Sequence, residues 1–258
     1  MLNPIIGILA SSGGFEPTSI AGLKLWLDAA DTSTISLSGS NVTQWNDKSG
    51  NGYNFAQGTA ANRPSSGTRT QNGLNVIDFD GTNDFLPTTA AKSAFNFLNN
   101  TTATLFLVLK NDSTTGVQWM FGNNGGSNAQ IGILSYNSGT NFISRNGNGS
   151  GTWTYDITVA GNTTNAKYLT YKSDPANATA ANRIKLALDN GAFSGANTET
   201  QAASASDSTR DFSIGDAASP DTGIPMDGFI CEFLIYDTIL SNDDITNVQT
   251  YLSGKWAI

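Results

Sequence analysis

The stretch Thr104-Leu105-Phe106-Leu107-Val108-Leu109 decides the fold of this 258-residue chain. Five of its six residues are large and apolar, so it lacks the alternation of a strand with one face in water. A run of this kind is typical of a strand covered on both faces, as in the middle of a β sandwich. The chain as a whole is rich in Gly, Asn, Ser and Thr and only 13% charged, which favours short strands joined by many turns.

Further strands are predicted on either side of this run. The first covers residues 23–28, where alternation places Leu23, Leu25 and Leu27 on one face. The segment from that strand to Trp45 is predicted to be a polar loop. The other strands are predicted at residues 76–81, 119–121, 130–134, 141–143, 153–159, 167–171, 184–188, 212–215 and 228–237.

The C-terminal segment has the periodicity of a helix instead. Ser241 and Asp244 form a capping box, in which the two side chains satisfy N–H groups at the start of a helix near Asn242. Gly254 is a residue that can end it. Three apolar residues recur between them at helical spacing: Ile245, Val248 and Leu252.

Four segments together resemble the laminin-G-like branch of the concanavalin A-like lectin and glucanase superfamily. They are residues 22–31 (GLKLWLDAAD), 45–52 (WNDKSGNG), 79–86 (FDGTNDFL) and 228–237 (GFICEFLIYD), followed by a helix that ends in Lys255-Trp256. The resemblance implies an all-β, concanavalin A-like jelly-roll sandwich of two antiparallel sheets with one short C-terminal helix. It leaves the function open, because this fold hosts lectins, glucanases, adhesion modules and structural domains.

Charge and composition exclude several classes of function. The 13 basic residues are scattered singly in a chain of net charge −8, so we expect no binding to nucleic acid or to an anionic membrane surface. No apolar run approaches the ~20 residues of a membrane span. The sequence has no histidine, which excludes histidine bases, histidine metal ligands and Ser-His or Cys-His catalytic pairs. The one cysteine, Cys231, is expected to be a buried free thiol.

A glycosidase would need two carboxylates that flank the scissile bond. The glucanases of this superfamily carry them as Glu-x-Asp-x-x-Glu, a pattern that Glu16, Glu199 and Glu232 do not form. We interpret Glu232 as a structural carboxylate that accepts hydrogen bonds from the backbone or from a Tyr or Trp donor, with a lone catalytic acid as the alternative. Alternation along its strand places Cys231 on the opposite face. We therefore predict that the protein is not an enzyme.

A shallow sugar site needs an exposed aromatic face and a few fixed polar groups. The candidate glycan-binding residues in the middle of the chain are Trp119, Tyr136, Arg145, Trp153 and Tyr155. The alternative for the two tryptophans is a place in the hydrophobic core.

Two turn-rich segments could offer oxygen ligands to calcium. Asp47 and Asn51 belong to the first, and Asp80 and Asp84 to the second. Asp and Asn are also common in turns, because they bond their own backbone and tolerate left-handed conformations. We favour turn chemistry over a metal site at both places and expect no cofactor.

Residues 1–19 are interpreted as an anchoring arm and linker, and residues 20–258 as the jelly-roll domain. The arm carries five large aliphatic residues, Leu2, Ile5, Ile6, Ile8 and Leu9. It lacks the basic start of a signal peptide, and burying its side chains would contribute about 1.5–3 kcal/mol each. We expect residues 1–15 to lie against another chain, either a virion protein or a second copy in a homo-oligomer.

These features favour a structural protein of a tailed-phage virion: a capsid decoration, fibre or tail component that displays a lectin-like domain on the virion surface and can bind cell-surface glycans. The motivation is the apolar arm, the Ser-Ser-Gly-Gly segment that follows it and the lack of a catalytic group. The alternative is an extracellular carbohydrate-binding module of a bacterial surface or secreted protein.

Overall fold

A computed structural model describes residues 14–113, 116–123, 131–136, 141–147, 153–161, 163–194, 210–216 and 224–258. At residues 131–136, 145–147 and 153–159, and at Asn99, the description covers the backbone alone. These residues form two antiparallel sheets and a C-terminal helix, so the chain is the all-β, concanavalin A-like jelly-roll sandwich that the sequence predicted.

Sixteen strands and two α-helices lie within the described residues. The strands are β1 (Leu23–Asp28), β2 (Ile35–Ser38), β3 (Asn41–Trp45), β4 (Phe55–Ala56), β5 (Ser65–Gln71), β6 (Leu74–Asp80), β7 (Leu86–Pro87), β8 (Ala103–Asn111), β9 (Gln118–Gly122), β10 (Ile131–Tyr136), β11 (Asn141–Gly147), β12 (Trp153–Ala160), β13 (Lys167–Ser173), β14 (Ile184–Leu188), β15 (Ser213–Ile214) and β16 (Asp227–Tyr236). The helices are α1 (Phe97–Asn100) and α2 (Asn242–Trp256).

The larger sheet, sheet A, is organised around β16. Its strand order is β14-β13-β8-β16-β6-β5-β3-β2, and β4 adds to β3. One edge of β16 pairs with β8, while the other pairs first with β6 and then, from Glu232 onward, with β1. The smaller sheet, sheet B, has the order β12-β11-β10-β9-β15-β7. The two most apolar runs of the sequence therefore lie side by side in the middle of sheet A.

Sheet A is buried on both faces, and β8 shows why its sequence is continuously apolar. Leu105 and Leu107 belong to the core between the two sheets. Phe106 and Val108 belong to a second core, which fills the space between the outer face of sheet A and α2. The second core includes Trp256, the last residue of α2, so the helix closes this face.

A β-bulge interrupts β16 where it passes β8. The register shifts between Ile230 and Glu232, so the alternation of side chains changes there. Before the bulge, Phe229 and Cys231 belong to the core under α2, and after it Glu232 points to α2 as well. The prediction that Cys231 and Glu232 lie on opposite faces is therefore wrong, whereas Cys231 is the buried free thiol that was expected.

A second shift of register changes the face of the sheet on which the first residues of β1 lie. The register with β16 shifts between Leu23 and Leu25. Leu23 consequently packs against the core under α2, while Leu25 and Leu27 lie in the core between the sheets. The prediction of one shared face for the three leucines holds only for the last two.

Three strands occur where the sequence shows little apolar alternation. The segment predicted as a polar loop up to Trp45 contains the hairpin of β2 and β3, and β5 is composed of polar and small residues. These strands lie toward one end of sheet A, and most of their side chains are partly or fully exposed. Backbone pairing rather than side-chain burial keeps them in the sheet.

The C-terminal helix begins as predicted and ends at Trp256, as the resemblance implied, rather than at Gly254. Ser241 Oγ accepts a hydrogen bond from the backbone N–H of Asp244 at 3.1 Å and donates to the carboxylate of Asp244 at 2.7 Å. The helix runs through Gly254 to Trp256, and Ala257 takes the left-handed conformation that ends it, with φ of 54°. Within the described residues, no helix combines the length and the apolar character needed to cross a membrane.

The arm residues Leu2, Ile5, Ile6, Ile8 and Leu9 lie outside the described residues, so their contact with another chain stays a prediction. The segment that follows them packs on its own domain. The ring of Phe15 lies 5.7 Å from that of Tyr251 on α2, and the carbonyl oxygen of Pro17 accepts a hydrogen bond from Tyr236 Oη at 3.1 Å. Residues 15–17 are therefore a packed part of the domain and not a free linker.

We predict that Gly228→Ala destabilises the domain strongly. Gly228 lies on β16 with φ of 146°, and a Cβ there would come 2.0 Å from the carbonyl oxygen of Lys110 on β8. Forcing these central strands apart should lower the unfolding free energy by about 2–4 kcal/mol. Gly254→Ala is the matched control, because a Cβ there meets no atom within 4 Å and should add about 0.5–1 kcal/mol of stability inside a helix. Urea unfolding followed by circular dichroism measures both, and equal shifts would contradict the packing described.

Candidate functional site

The five residues predicted to bind a glycan all lie on sheet B. Trp119 is on β9, Tyr136 ends β10, Arg145 is on β11, and Trp153 and Tyr155 are on β12. These four strands are successive neighbours, so the topology brings the five positions into one sheet. The register places Tyr155 opposite Asn146, on the face of Phe142, whereas Tyr136 and Arg145 share the face of Ile143. At all of these positions except Trp119 the structure describes only the backbone, and their role stays a prediction.

Trp119 is a core residue of the outer face of sheet B. Only 2% of its surface is exposed, and it packs with Ile143 of β11, with Val117 and Ile224 at the margin. The next residues along the two strands, Met120 and Phe142, belong to the core between the sheets. The burial of Trp119 favours the core alternative over an exposed ring for sugar stacking. Among the described residues, no helix contributes to this cluster, unlike the outer face of sheet A.

Asp47 ties the turn after β3 to the first strand. Its Oδ1 accepts hydrogen bonds from the backbone N–H groups of Trp26 at 3.0 Å and Ser49 at 2.8 Å, and its Oδ2 accepts one from Tyr53 at 3.1 Å. The amide of Asn51 donates to carbonyl oxygens of β1 at 3.0 and 3.1 Å. These groups of the first proposed calcium cluster thus make the contacts that turn chemistry predicts.

Asp80 and Asp84 lie in the turn after β6 and bond the backbone in the same way. Asp80 Oδ1 accepts from the N–H groups of Thr82 at 2.8 Å and Asn83 at 3.2 Å, and Asp84 Oδ2 accepts from that of Asp80 at 3.0 Å. Burial, together with the charge of Asp80, raises the pKa of Asp84 to about 6. In the part of the chain that the structure describes, no three acidic, cysteine or histidine side chains are grouped to hold a metal ion.

Glu232 is fully buried on β16 beneath α2. Its Oε1 accepts hydrogen bonds from Trp26 Nε1 and Tyr251 Oη, each at 2.8 Å. Its Oε2 accepts hydrogen bonds from Trp256 Nε1 and Lys255 Nζ, also at 2.8 Å. The interpretation of Glu232 as a structural carboxylate served by Trp and Tyr donors is confirmed by this geometry.

A chain of ion pairs leads from Glu232 to the surface. Lys255 Nζ lies 2.7 Å from Asp28 Oδ1, and Asp28 Oδ2 lies 3.0 Å from Lys48 Nζ. Burial raises the pKa of Glu232, while the charge of Lys255 opposes that rise. Because Glu232 and Asp28 are both buried and both bonded to lysine, neither is placed to reach a glycosidic bond in a bound sugar.

A depression of about 460 Å³ opens on the outer face of sheet A, beside the C-terminal end of α2. Its described walls are mostly polar or cationic, and Phe229 is the one aromatic residue among them. No pattern in the sequence marked this depression, because its lining comes from five separate segments. The polar lining residues are Arg69, Thr70, Gln71, Lys110, Thr164 and Asn165.

No family profile and no curated protein sequence matches the chain significantly. Solved structures do match its fold. Domain 4 of AbnA, an extracellular GH43 arabinanase from Geobacillus stearothermophilus in complex with arabinotriose, aligns over 88% of this chain and 98% of its own, with a TM-score of 0.59 and 16% identity. The CBM40 of the Ruminococcus gnavus IT-sialidase, bound to α2,3-sialyllactose, aligns over 67% of this chain and 95% of its own, with a TM-score of 0.51 and 17% identity.

The chain shares its fold with these domains. A sialidase of Trypanosoma rangeli, in complex with 2,3-difluorosialic acid, also aligns over 91% of this chain, with a TM-score of 0.60 and 17% identity. This chain spans only 33% of that sialidase, so the likeness extends to one part of a longer protein. At these identities the comparison shows a common β-sandwich fold.

We predict that Glu232→Leu destabilises the domain by about 3–5 kcal/mol, because it leaves two indole N–H groups without acceptors and removes one partner of a buried ion pair. The matched control is Asp237→Asn. It breaks the pair of Lys24 and Asp237, whose side chains are about one-third exposed, and should cost less than about 1 kcal/mol. Thermal unfolding of both variants tests this prediction, and a loss for Glu232→Leu as small as for the control would contradict it.

Asp84 should make stability depend on pH. Its carboxyl group has a pKa of about 6 in the folded protein and 3.8 in a free chain, so the folded state holds the proton more tightly. Its contribution to stability is therefore present below about pH 4 and is lost as the pH rises through 6. The unfolding free energy of Asp84→Asn, relative to that of the wild type, should therefore rise by about 1–3 kcal/mol from pH 4 to pH 7. Urea unfolding of the wild type and of Asp84→Asn at pH 4 and at pH 7 measures this change. A free-energy difference that stays the same at both pH values, or that falls as the pH rises, would contradict the prediction.

Proposed function

We propose that the chain is a non-catalytic carbohydrate-binding domain of an extracellular or cell-surface protein. The observation that carries the proposal is its alignment with nearly the full length of two domains solved with a bound oligosaccharide, 98% of one and 95% of the other. A whole-domain likeness of this kind relates the chain to a binding module more directly than to the longer sialidase, of which it spans 33%.

The two sheets differ in what their outer faces can offer a ligand. The outer face of sheet A is largely closed by α2 and its core, which includes Trp26 and Trp256. Sheet B holds Tyr136 and Arg145 at positions that share the face of Ile143, and no described helix packs on the cluster of that outer face. We therefore assign the primary glycan contact to strands β10, β11 and β12, where a shallow site could combine aromatic and polar groups.

The absence of catalysis is part of the proposal. Of the three glutamates, Glu232 is held under α2 by four hydrogen bonds, and Glu16 is an exposed residue before β1. The virion role was inferred from the apolar arm, and the solved structures compared above do not support it. The carbohydrate-binding alternative of the sequence analysis is for that reason the function proposed.

Binding should be measured by calorimetry against a panel that includes arabinotriose, lactose and α2,3-sialyllactose. We expect at least one saccharide to bind without being cleaved, and Tyr136→Ala and Arg145→Ala, whose positions share one face of sheet B, to weaken that binding about tenfold each, about 1.4 kcal/mol. Lys24→Ala is the control, because Lys24 is a partly exposed cation on sheet A. Failure of every saccharide to bind would overturn the proposal, and release of shorter products would overturn its non-catalytic part.

A further inference from the structure

The depression beside the end of α2 has features of a built site and is not explained by the glycan contact on sheet B. We infer that it is a second saccharide-binding site, on the opposite sheet, and that it selects a neutral sugar over a sugar acid. The inference takes its ligand class from the proposed function. Its volume of about 460 Å³ lies within the range of about 300–1,000 Å³ that small-ligand sites occupy.

Arg69 is the fixed donor of this site. Its Nη1 donates to Asp78 at 2.6 Å and also to Asp112, and its Nη2 donates to Asp112 at 2.9 Å. A guanidinium group has five N–H donors, so two remain for a ligand among the contacts of the described residues. Because the two carboxylates already hold the side chain in place, a ligand that bonds it would cause little further loss of side-chain entropy.

Gln71 is held in a similar way. Its Nε2 donates at 2.8 Å to the carbonyl oxygen of Trp256, at the last turn of α2. This bond orients the amide and leaves its oxygen as an acceptor on the wall of the depression. The exposed side chains of Thr70 and Asn165 add hydroxyl and amide groups. The site therefore offers both donors and acceptors, which is what a sugar hydroxyl requires.

The ring of Phe229 makes cation–π contacts with the two cations of the site and is not open to a ligand. Arg69 Cζ lies 4.7 Å and Lys110 Nζ lies 5.7 Å from the centre of its ring, and only 2% of the residue is exposed. The face of the ring is covered, so recognition at this site depends on hydrogen bonds and not on stacking.

The cations that line the site are already paired with carboxylates of the protein, so the site needs no charged ligand. The positive charges of Arg69 and Lys110 are met by the carboxylates of Asp78 and Asp112, both within ion-pair distance. The carboxylate of Asp227 lies close enough to Asp112 for the two to repel. An anionic sugar would compete with Asp112 for the cations and meet these acidic groups, whereas a neutral sugar would not. This balance is the reason for assigning a neutral ligand.

A smaller depression of about 180 Å³ provides the contrasting case. Lys172 and Lys185 lie directly opposite one another on β13 and β14 and line it, with Asp174 as its one acidic lining residue. Two cations in register repel each other, and an anion between them would relieve that repulsion. The charge of this lysine pair favours an anion, unlike that of the depression near α2, and the pair therefore serves as a control.

The test compares lactose with α2,3-sialyllactose, which differ by one sialic acid, and includes arabinotriose. Backbone amide shifts in NMR spectra locate each ligand on the intact chain. We expect lactose or arabinotriose to shift the signals of Thr70, Gln71 and Asn165. We expect Gln71→Ala and Asn165→Ala to weaken binding at this site at least fivefold, and Thr70→Trp, which fills the depression, to abolish it. Lys185→Met should leave it unchanged.

Each other outcome overturns the inference in a distinguishable way. Shifts confined to sheet B, unaffected by Gln71→Ala, would refute the second site and leave the proposed function standing. Tighter binding of α2,3-sialyllactose than of lactose at this site, seen as shifts of Thr70, Gln71 and Asn165 and weakened by Gln71→Ala, would refute the choice of a neutral ligand. Failure of all three probes to bind anywhere would refute the inference together with the proposed function.

Discussion

The buried carboxylate of Glu232 is the interaction on which this arrangement of sheet and helix depends. Four donors from two elements converge on it: Trp26 from β1, and Tyr251, Lys255 and Trp256 from α2. A buried carboxylate with fewer partners would oppose folding, because its lost hydration would not be replaced. The bulge in β16 is what turns Glu232 toward the helix, so a local backbone irregularity sets the position of an entire element.

Because α2 covers the outer face of sheet A, it limits which surfaces of the molecule remain open to a ligand. With α2 seated on sheet A, the large aromatic residues of that face serve the core and are not available to a ligand. What remains open on sheet A is the polar margin where α2 ends, around Arg69 and Gln71. Sheet B has no described helix on its outer cluster and can vary its strands β10–β12 without disturbing the pairing of β8 and β16. The core that holds α2 and the positions proposed for the primary glycan contact thus lie in different sheets.

The elements that the sequence predicts well are those with a strong local signal. The apolar run of β8 and the capping box of Ser241 and Asp244 act within a few residues, and both are found where they were expected. The polar strands β2, β3 and β5 are formed by backbone pairing with distant segments, which leaves little trace in side-chain alternation. The bulges in β1 and β16 are decided by the partner strand, so the predicted faces of Leu23 and Glu232 could not be correct.

The same distinction applies to the candidate sites. The candidate glycan-binding residues were chosen because aromatic residues recur in one region of the sequence, and the structure places that region on neighbouring strands of one sheet. The depression near α2 could not be found in this way, because five segments of the chain meet there only after folding. Trp119 shows the opposite error, since an aromatic residue in a polar neighbourhood resembles a ligand contact until its burial is known.

The central position of β16 also determines the order in which the sheet can form. Strands β1, β6 and β8 all pair with β16, yet β16 is the last of the sixteen described strands in the sequence. As the chain leaves the ribosome, these three strands have unpaired edges until residues 227–236 emerge. Contacts of such long sequence separation make folding slow and leave apolar strands open to mispairing. Sheet A should therefore form late in folding and in one step, when β16 inserts between β8 on one side and β1 and β6 on the other, all of which are synthesised before it.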